Sequence, residues 1–232
     1  MVRRGDDLTR NDIILRDQCM IIRYEKGVGS TMLRTQPGAA LGVQWLDAFS
    51  DATMHPSATA MDQFGATADF EDLRLFWAGY LAIRVLDLSN AYARNDPRQL
   101  VEWAKERIPE LFGRLDALDR RLSDHGKTLY LAYDHLDRIG SPEVRVRYAA
   151  ALFGLWVSLT DRYQRLRAKI FVQDDLLDRA QALVTDVTKL KGRDSDGTWL
   201  ALTRVESRSF NSRAAAEKWL ARMGYRPDGT KF

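Results

Sequence analysis

Arg120 and His125 are separated by four residues, a spacing at which one helix can present a guanidinium to hold a phosphate and an imidazole to move a proton. They are the candidate catalytic pair. Asp134, His135 and Asp137 are three donors close together in sequence. Read as part of a helix, neighbours one or two positions apart point in different directions, so they are not expected to converge on a metal. No Glu-x-x-His spacing of the di-iron bundle type occurs. Gly27-Val28-Gly29-Ser30-Thr31 is rich in glycine but lacks the lysine of a P-loop, and the residues before it read as helix where that motif needs a strand. His55 stands beside Pro56 in a segment read as a solvated loop. Cys19 is the single cysteine, so no disulfide can form within the chain, and it reads as a small buried hydrophobe. Neither a cofactor nor a metal is expected.

Cations are the second source of chemistry. Arg162, Arg165 and Lys169 fall on one face if the segment is helical, and Arg145 and Arg147 lie near a turn. Either group could meet a phosphate backbone. Asp174, Asp175 and Asp178 follow within two turns, which also fits a solvated face of mixed charge. The formal net charge is only +3, and the basic excess gathers at the carboxyl end, where residues 192–232 hold eight Lys/Arg against five Asp/Glu.

Two resemblances follow from these residues. Gly197, Trp199, Ala201, Val205 and Phe210, then Arg213, Ala216, Glu217, Trp219 and Leu220, make the segment of about 195–224 resemble the AP2-like arm-type DNA-binding module of tyrosine recombinases. That resemblance implies a small sheet laid into a DNA groove, with Arg204, Arg208 and Arg213 as contacts. No recombinase catalytic segment accompanies it. The pair Arg120 and His125 resembles the Arg-x4–6-His motif of HEPN ribonucleases, which implies an all-helical nuclease; Arg121 stands where that family usually has another polar residue.

The elements that must position these residues read as mainly helical. Ile13, Ile14, Met20, Ile21 and Tyr24 suggest a helix over about 8–26, followed by a glycine- and proline-punctuated loop, a short helix over about 39–49 and a long connection over 50–67. Phe70, Leu73, Trp77, Tyr80, Leu81, Val85 and Leu88 form the broad apolar stripe of a helix over about 68–94. After Asp96-Pro97, an N-cap acid followed by a first-turn proline, apolar residues recur at steps of three and four from Val101 to Ile139. Gly140-Ser141-Pro142 stops that run and starts another, which continues the same steps from Ala149 to Val187.

The expectation is a helical bundle built on a long antiparallel two-helix hairpin, with arms at about 97–139 and 142–191. Folding at Ser141 pairs residues whose numbers sum to about 281: Leu129 with Leu152, His125 with Trp156, Leu115 with Leu166, Leu111 with Ile170. Each arm would be roughly 60 Å long at 1.5 Å per residue. Pro109 should kink the first arm or divide it, and a divided arm gives a compact bundle instead. Residues 1–191 would be the helical domain. Residues 192–232 would be a small ββα module, with strands over Thr198–Val205 and Ser207–Phe210 and a last helix through Trp219.

At 232 residues and 45% hydrophobic, the chain can bury a core and is no disordered polymer. Its longest nearly apolar stretch, 76–88, is short and broken by Arg84, so no membrane span is read and no secretory signal is seen. An intracellular, cytoplasmic protein is the expectation, or a virion-associated one if the source is a phage. The functional expectation is a non-enzymatic assembly or scaffold subunit that binds a protein partner or its own copies, of phage or mobile-element origin. Nucleic-acid binding through the basic carboxyl-terminal module and a HEPN-like ribonuclease are the alternatives.

Overall fold

The computed structural model describes residues 21–24, 42–50, 56–88, 96–184 and 200–202. In chain order these form β1 (Ile21–Tyr24), β2 (Val43–Phe49), α1 (Ala58–Thr67), α2 (Phe70–Leu86), α3 (Pro97–Asp124), β3 (Thr128–Tyr133), a 3-10 turn (Leu136–Arg138), α4 (Pro142–Arg162), β4 (Leu166–Gln173), α5 (Asp174–Gln181) and β5 (Leu200–Leu202). The five strands make one sheet in the order β2-β3-β4-β1-β5, and every adjacent pair is parallel. The fold is therefore mixed α/β, which overturns the mainly helical expectation.

The two-helix hairpin is corrected at the same point. Its first arm ends at Asp124 and its second at Arg162, and each is followed by a strand of the sheet. The leucines at heptad positions 129 and 166 belong to β3 and β4, paired side by side in the sheet. Apolar spacing misled because a strand of a parallel sheet is buried on both faces and reads as a continuous apolar run, with no period-2 signature. Thr-Leu-Tyr-Leu-Ala-Tyr and Ile-Phe-Val carry the aromatic and β-branched content of strands, and that content outweighs the heptad steps. Two further expected helices give way to strands: residues 21–24 form β1, and 43–49 form β2.

Several boundaries read from the sequence are observed. Asp96 caps α3 by accepting from the Arg98 amide at 2.9 Å, with Pro97 in the first turn. α3 runs undivided through Pro109 to Asp124. Its end is closed by Gly126 at φ +62°, while the Lys127 amide returns to the Leu122 carbonyl at 2.8 Å. That left-handed closure frees the chain to enter β3. α4 starts at Pro142 behind Ser141 as expected.

From β2 to β3 and from β3 to β4 the chain steps the same way across the sheet, so right-handed crossovers put α1–α4 on one face. Leu131 and Tyr133 of β3, and Leu166, Ala168, Ile170 and Val172 of β4, join the same core as α2 and α4. Its centre is aromatic. Trp77 meets Phe49, Phe76, Tyr80, Tyr133 and Tyr148 at centroid distances of 5.2–6.2 Å, mostly edge to face, and its Nε1 donates to the Tyr148 carbonyl at 2.8 Å.

Of the expected ββα module, residues 200–202 form β5, which pairs with β1 in the main sheet. The expected strand over 207–210 and the last helix lie outside the described residues, as do the expected helix over 8–20 and the segment 27–31.

Candidate functional site at the carboxyl edge of the sheet

In a parallel α/β sheet, ligands collect outside the carboxyl ends of the strands, where neighbouring strands send their connections in opposite directions. Here β1 leads across the sheet to β2 and β4 leads the other way to β5, so the switch lies between β4 and β1. Phe49, Tyr133, Ile170 and Ile21 form one row across the sheet. The residues just beyond that row make the edge: Ser50 after β2, Asp134 and His135 after β3, and Gln173 opposite Tyr24 at the ends of β4 and β1.

Asp134 is the acid at this edge closest to the sheet and is 4% exposed. Its amide donates to the Phe49 carbonyl at 2.8 Å, which extends the β2–β3 ladder by one bond. Its Oδ1 accepts from the amide of His135 at 2.7 Å, which fixes the carboxylate rotamer. His135 is bent into the left-handed region at φ +57°, a conformation in which histidine is over-represented among non-glycine residues. The bend turns the chain into the 3-10 turn and brings the imidazole Nδ1 to 3.8 Å from Asp134 Oδ2. Gln173 Nε2 donates to Asp137 Oδ2 at 3.0 Å, tying the end of β4 to that turn. Ser50 Oγ donates to Asp47 Oδ2 at 2.7 Å. Among the described residues no three His, Cys, Asp or Glu side chains cluster so as to hold a metal ion by themselves.

The sequence flagged Asp134, His135 and Asp137 as donors but placed them on a helix. The structure sets them on a strand end and a tight turn, where Asp134 and His135 lie side by side and Asp137 bonds to Gln173. What marks Asp134 in the sequence is an acid that ends the apolar run Leu129–Tyr133. The strand that the glycine-rich segment 27–31 was expected to lack is β1, which ends at Tyr24, three positions before Gly27.

Other expected site residues are dispersed. Arg120 and His125 lie at the opposite, amino-terminal edge, both exposed. His125 Nδ1 donates to the Arg121 carbonyl at 2.7 Å, and the ring caps α3 where the hairpin had placed it beside Trp156. Trp156 is buried against Tyr133. Arg162, Arg165 and Lys169 share no helix face, because α4 ends at Arg162 and Lys169 is in β4. Arg162 forms a two-pronged pair with Asp116 at 2.7 and 2.6 Å, which lowers the Asp116 carboxyl pKa and raises that of the guanidinium. Lys169 is 1% exposed, its Nζ 4.8 Å from the Tyr130 ring centre. Arg147 donates to the carbonyls of Gly65 and Ala68, and Arg145 to that of Gly140, so both close helix ends and turns. Asp175 and Asp178 are exposed on α5. Cys19, His55, Arg204, Arg208 and Arg213 lie outside the described residues.

No helix among the described residues is long and apolar enough to cross a membrane. A family model described as a protein of unknown function, DUF1391, matches residues 193–224, the span for which the recombinase-module resemblance was drawn. The comparisons with curated proteins and with solved structures found no match.

Proposed function

We propose that the carboxyl edge of the sheet binds a nucleoside triphosphate, in the manner of a P-loop domain whose phosphate loop lacks its lysine. The observation that carries this reading is a buried aspartate at the carboxyl end of a parallel sheet, beside the switch point. In the sequence, a glycine-rich segment follows the strand at that point. In P-loop domains a strand runs into backbone amides that cradle phosphates, a Ser or Thr of the loop binds Mg2+, and an aspartate at the end of another strand supports that ion. Gly29 and Thr31 occupy the corresponding motif positions; Tyr24 replaces the first glycine and Ser30 the lysine. Mg2+ bound by one or two oxygens of protein and otherwise by phosphate and water suits a single buried carboxylate, and Asp134 would hold it. The ion would neutralise charge on the phosphates. Without the lysine that reaches the terminal phosphates, binding with slow turnover is the expectation, so the chain works as a nucleotide-responsive module.

The assembly-subunit expectation drew on long two-helix arms. With β-α-β units in their place, shape no longer argues for it. The ribonuclease alternative needs an arginine and a histidine aimed at one phosphate, and His125 is spent on its own helix end.

The test is titration of the protein into a fluorescent ATP analogue with and without Mg2+. Saturable, Mg2+-dependent binding that weakens at least tenfold in Asp134→Asn supports the reading. No binding at millimolar nucleotide, or an Asp134→Asn variant indistinguishable from the wild type, overturns it.

A further inference from the structure

At the amino-terminal edge of the sheet, opposite the nucleotide edge, the last turn of α3 and the starts of β3 and β4 come together. Asp119 of α3 accepts from the amides of Gln164, Arg165 and Leu166 at 3.2, 2.7 and 2.8 Å, and the Leu129 amide donates to the Arg165 carbonyl at 2.8 Å. The Lys127 amide returns to Leu122. These bonds gather Arg120, Arg121, Lys127, Arg165 and Arg167 at one pole. The first three are exposed and the last two half-buried. The nearby acids are largely engaged elsewhere: Asp116 faces Arg162, and the Asp119 carboxylate is turned onto three amides. Asp124 on α3 and Asp161 in the last turn of α4 are the exposed acids at this end among the described residues.

We infer that this pole docks the phosphate backbone of a double-stranded nucleic acid. Arginine predominates, and its planar fork matches phosphate oxygens. A protein partner would need a desolvated apolar centre. The exposed large hydrophobics among the described residues, Phe70 and Leu183, begin α2 and follow α5 and belong to none of α3, β3 and β4. A single strand would use exposed aromatic rings for stacking, and the pole presents none among the described residues. Recognition is through phosphates, without base readout. It is separate from the nucleotide edge and from the arginines of the carboxyl-terminal segment, so either reading can fail alone.

Fluorescence anisotropy with labelled 20-base-pair DNA and RNA duplexes tests it from 50 to 300 mM KCl. About five phosphate contacts on DNA should give a log–log salt slope near −4.5. The Arg120→Gln/Arg121→Gln/Lys127→Gln variant, all exposed positions, should lose at least tenfold in affinity at 100 mM salt with an unchanged melting curve. Asp124→Asn should bind more tightly. The two duplexes show whether DNA or RNA is the source of the phosphates. Binding that ignores salt, is equal in the triple variant, prefers a single strand, or is absent from both duplexes overturns the inference.

Discussion

Two carboxylates show what a single side chain contributes here. Asp119 holds three successive amides at the entry to β4, a task that water would otherwise share. Asp119→Ala should cost about 2 kcal/mol, since hydrogen bonds to a charged group contribute more than neutral ones; urea denaturation reads this directly. Asp116 differs because its bond to Arg162 holds its carboxyl below the ordinary 3.8. A folded-state pKa lowered in this way gives stability that is complete above the unfolded value. That stability disappears as pH falls through the lowered value. Asp116→Asn should therefore melt below the wild type at pH 7, and the gap should close as pH drops below about 4. Thermal melts at pH 7, 4 and 2.5 check the sign. A gap that widens in acid would refute it.

Elements obey their own constraints. Gly126 sits at φ +62° with open space where a Cβ would go, so Gly126→Ala would meet backbone strain and no clash. About 1 kcal/mol of destabilisation is expected, measured by chemical denaturation. Helix starts were readable because capping is local: Asp96-Pro97 and Ser141-Pro142 signal a start whatever surrounds them. The strands were not, since their partners decide them. Leu166 to Val172 takes a strand's shape only because β3 and β1 lie on either side. The same residues in isolation fit a heptad. The carboxyl-edge donors were visible by type and missed by geometry, because a strand end and a left-handed His135 set Asp134 at the sheet edge and Asp137 against Gln173. Once β3 and β4 are known as interior strands, their amides should exchange more slowly than those of β2, and hydrogen-exchange mass spectrometry resolves the three segments.

Across the whole molecule, the aromatic cluster around Trp77 joins α2, α4, β2 and β3 into one core. Trp77→Ala should remove about 3–5 kcal/mol, as deletion of a large buried ring does, and lower the thermal midpoint in proportion. A loss below 1 kcal/mol would mean that the cluster does not bind the layers together. The sheet closes late along the chain: β1, at residues 21–24, is flanked by β4 at 170–173 and by β5 at 200–202. A nascent polypeptide leaving the ribosome thus carries β1 unpaired until β4 has emerged, about 150 residues later, at roughly 5–20 residues per second. Translation pauses between β3 and β4 would lengthen that exposure, and a chaperone that shields strand edges would help this protein most during those seconds.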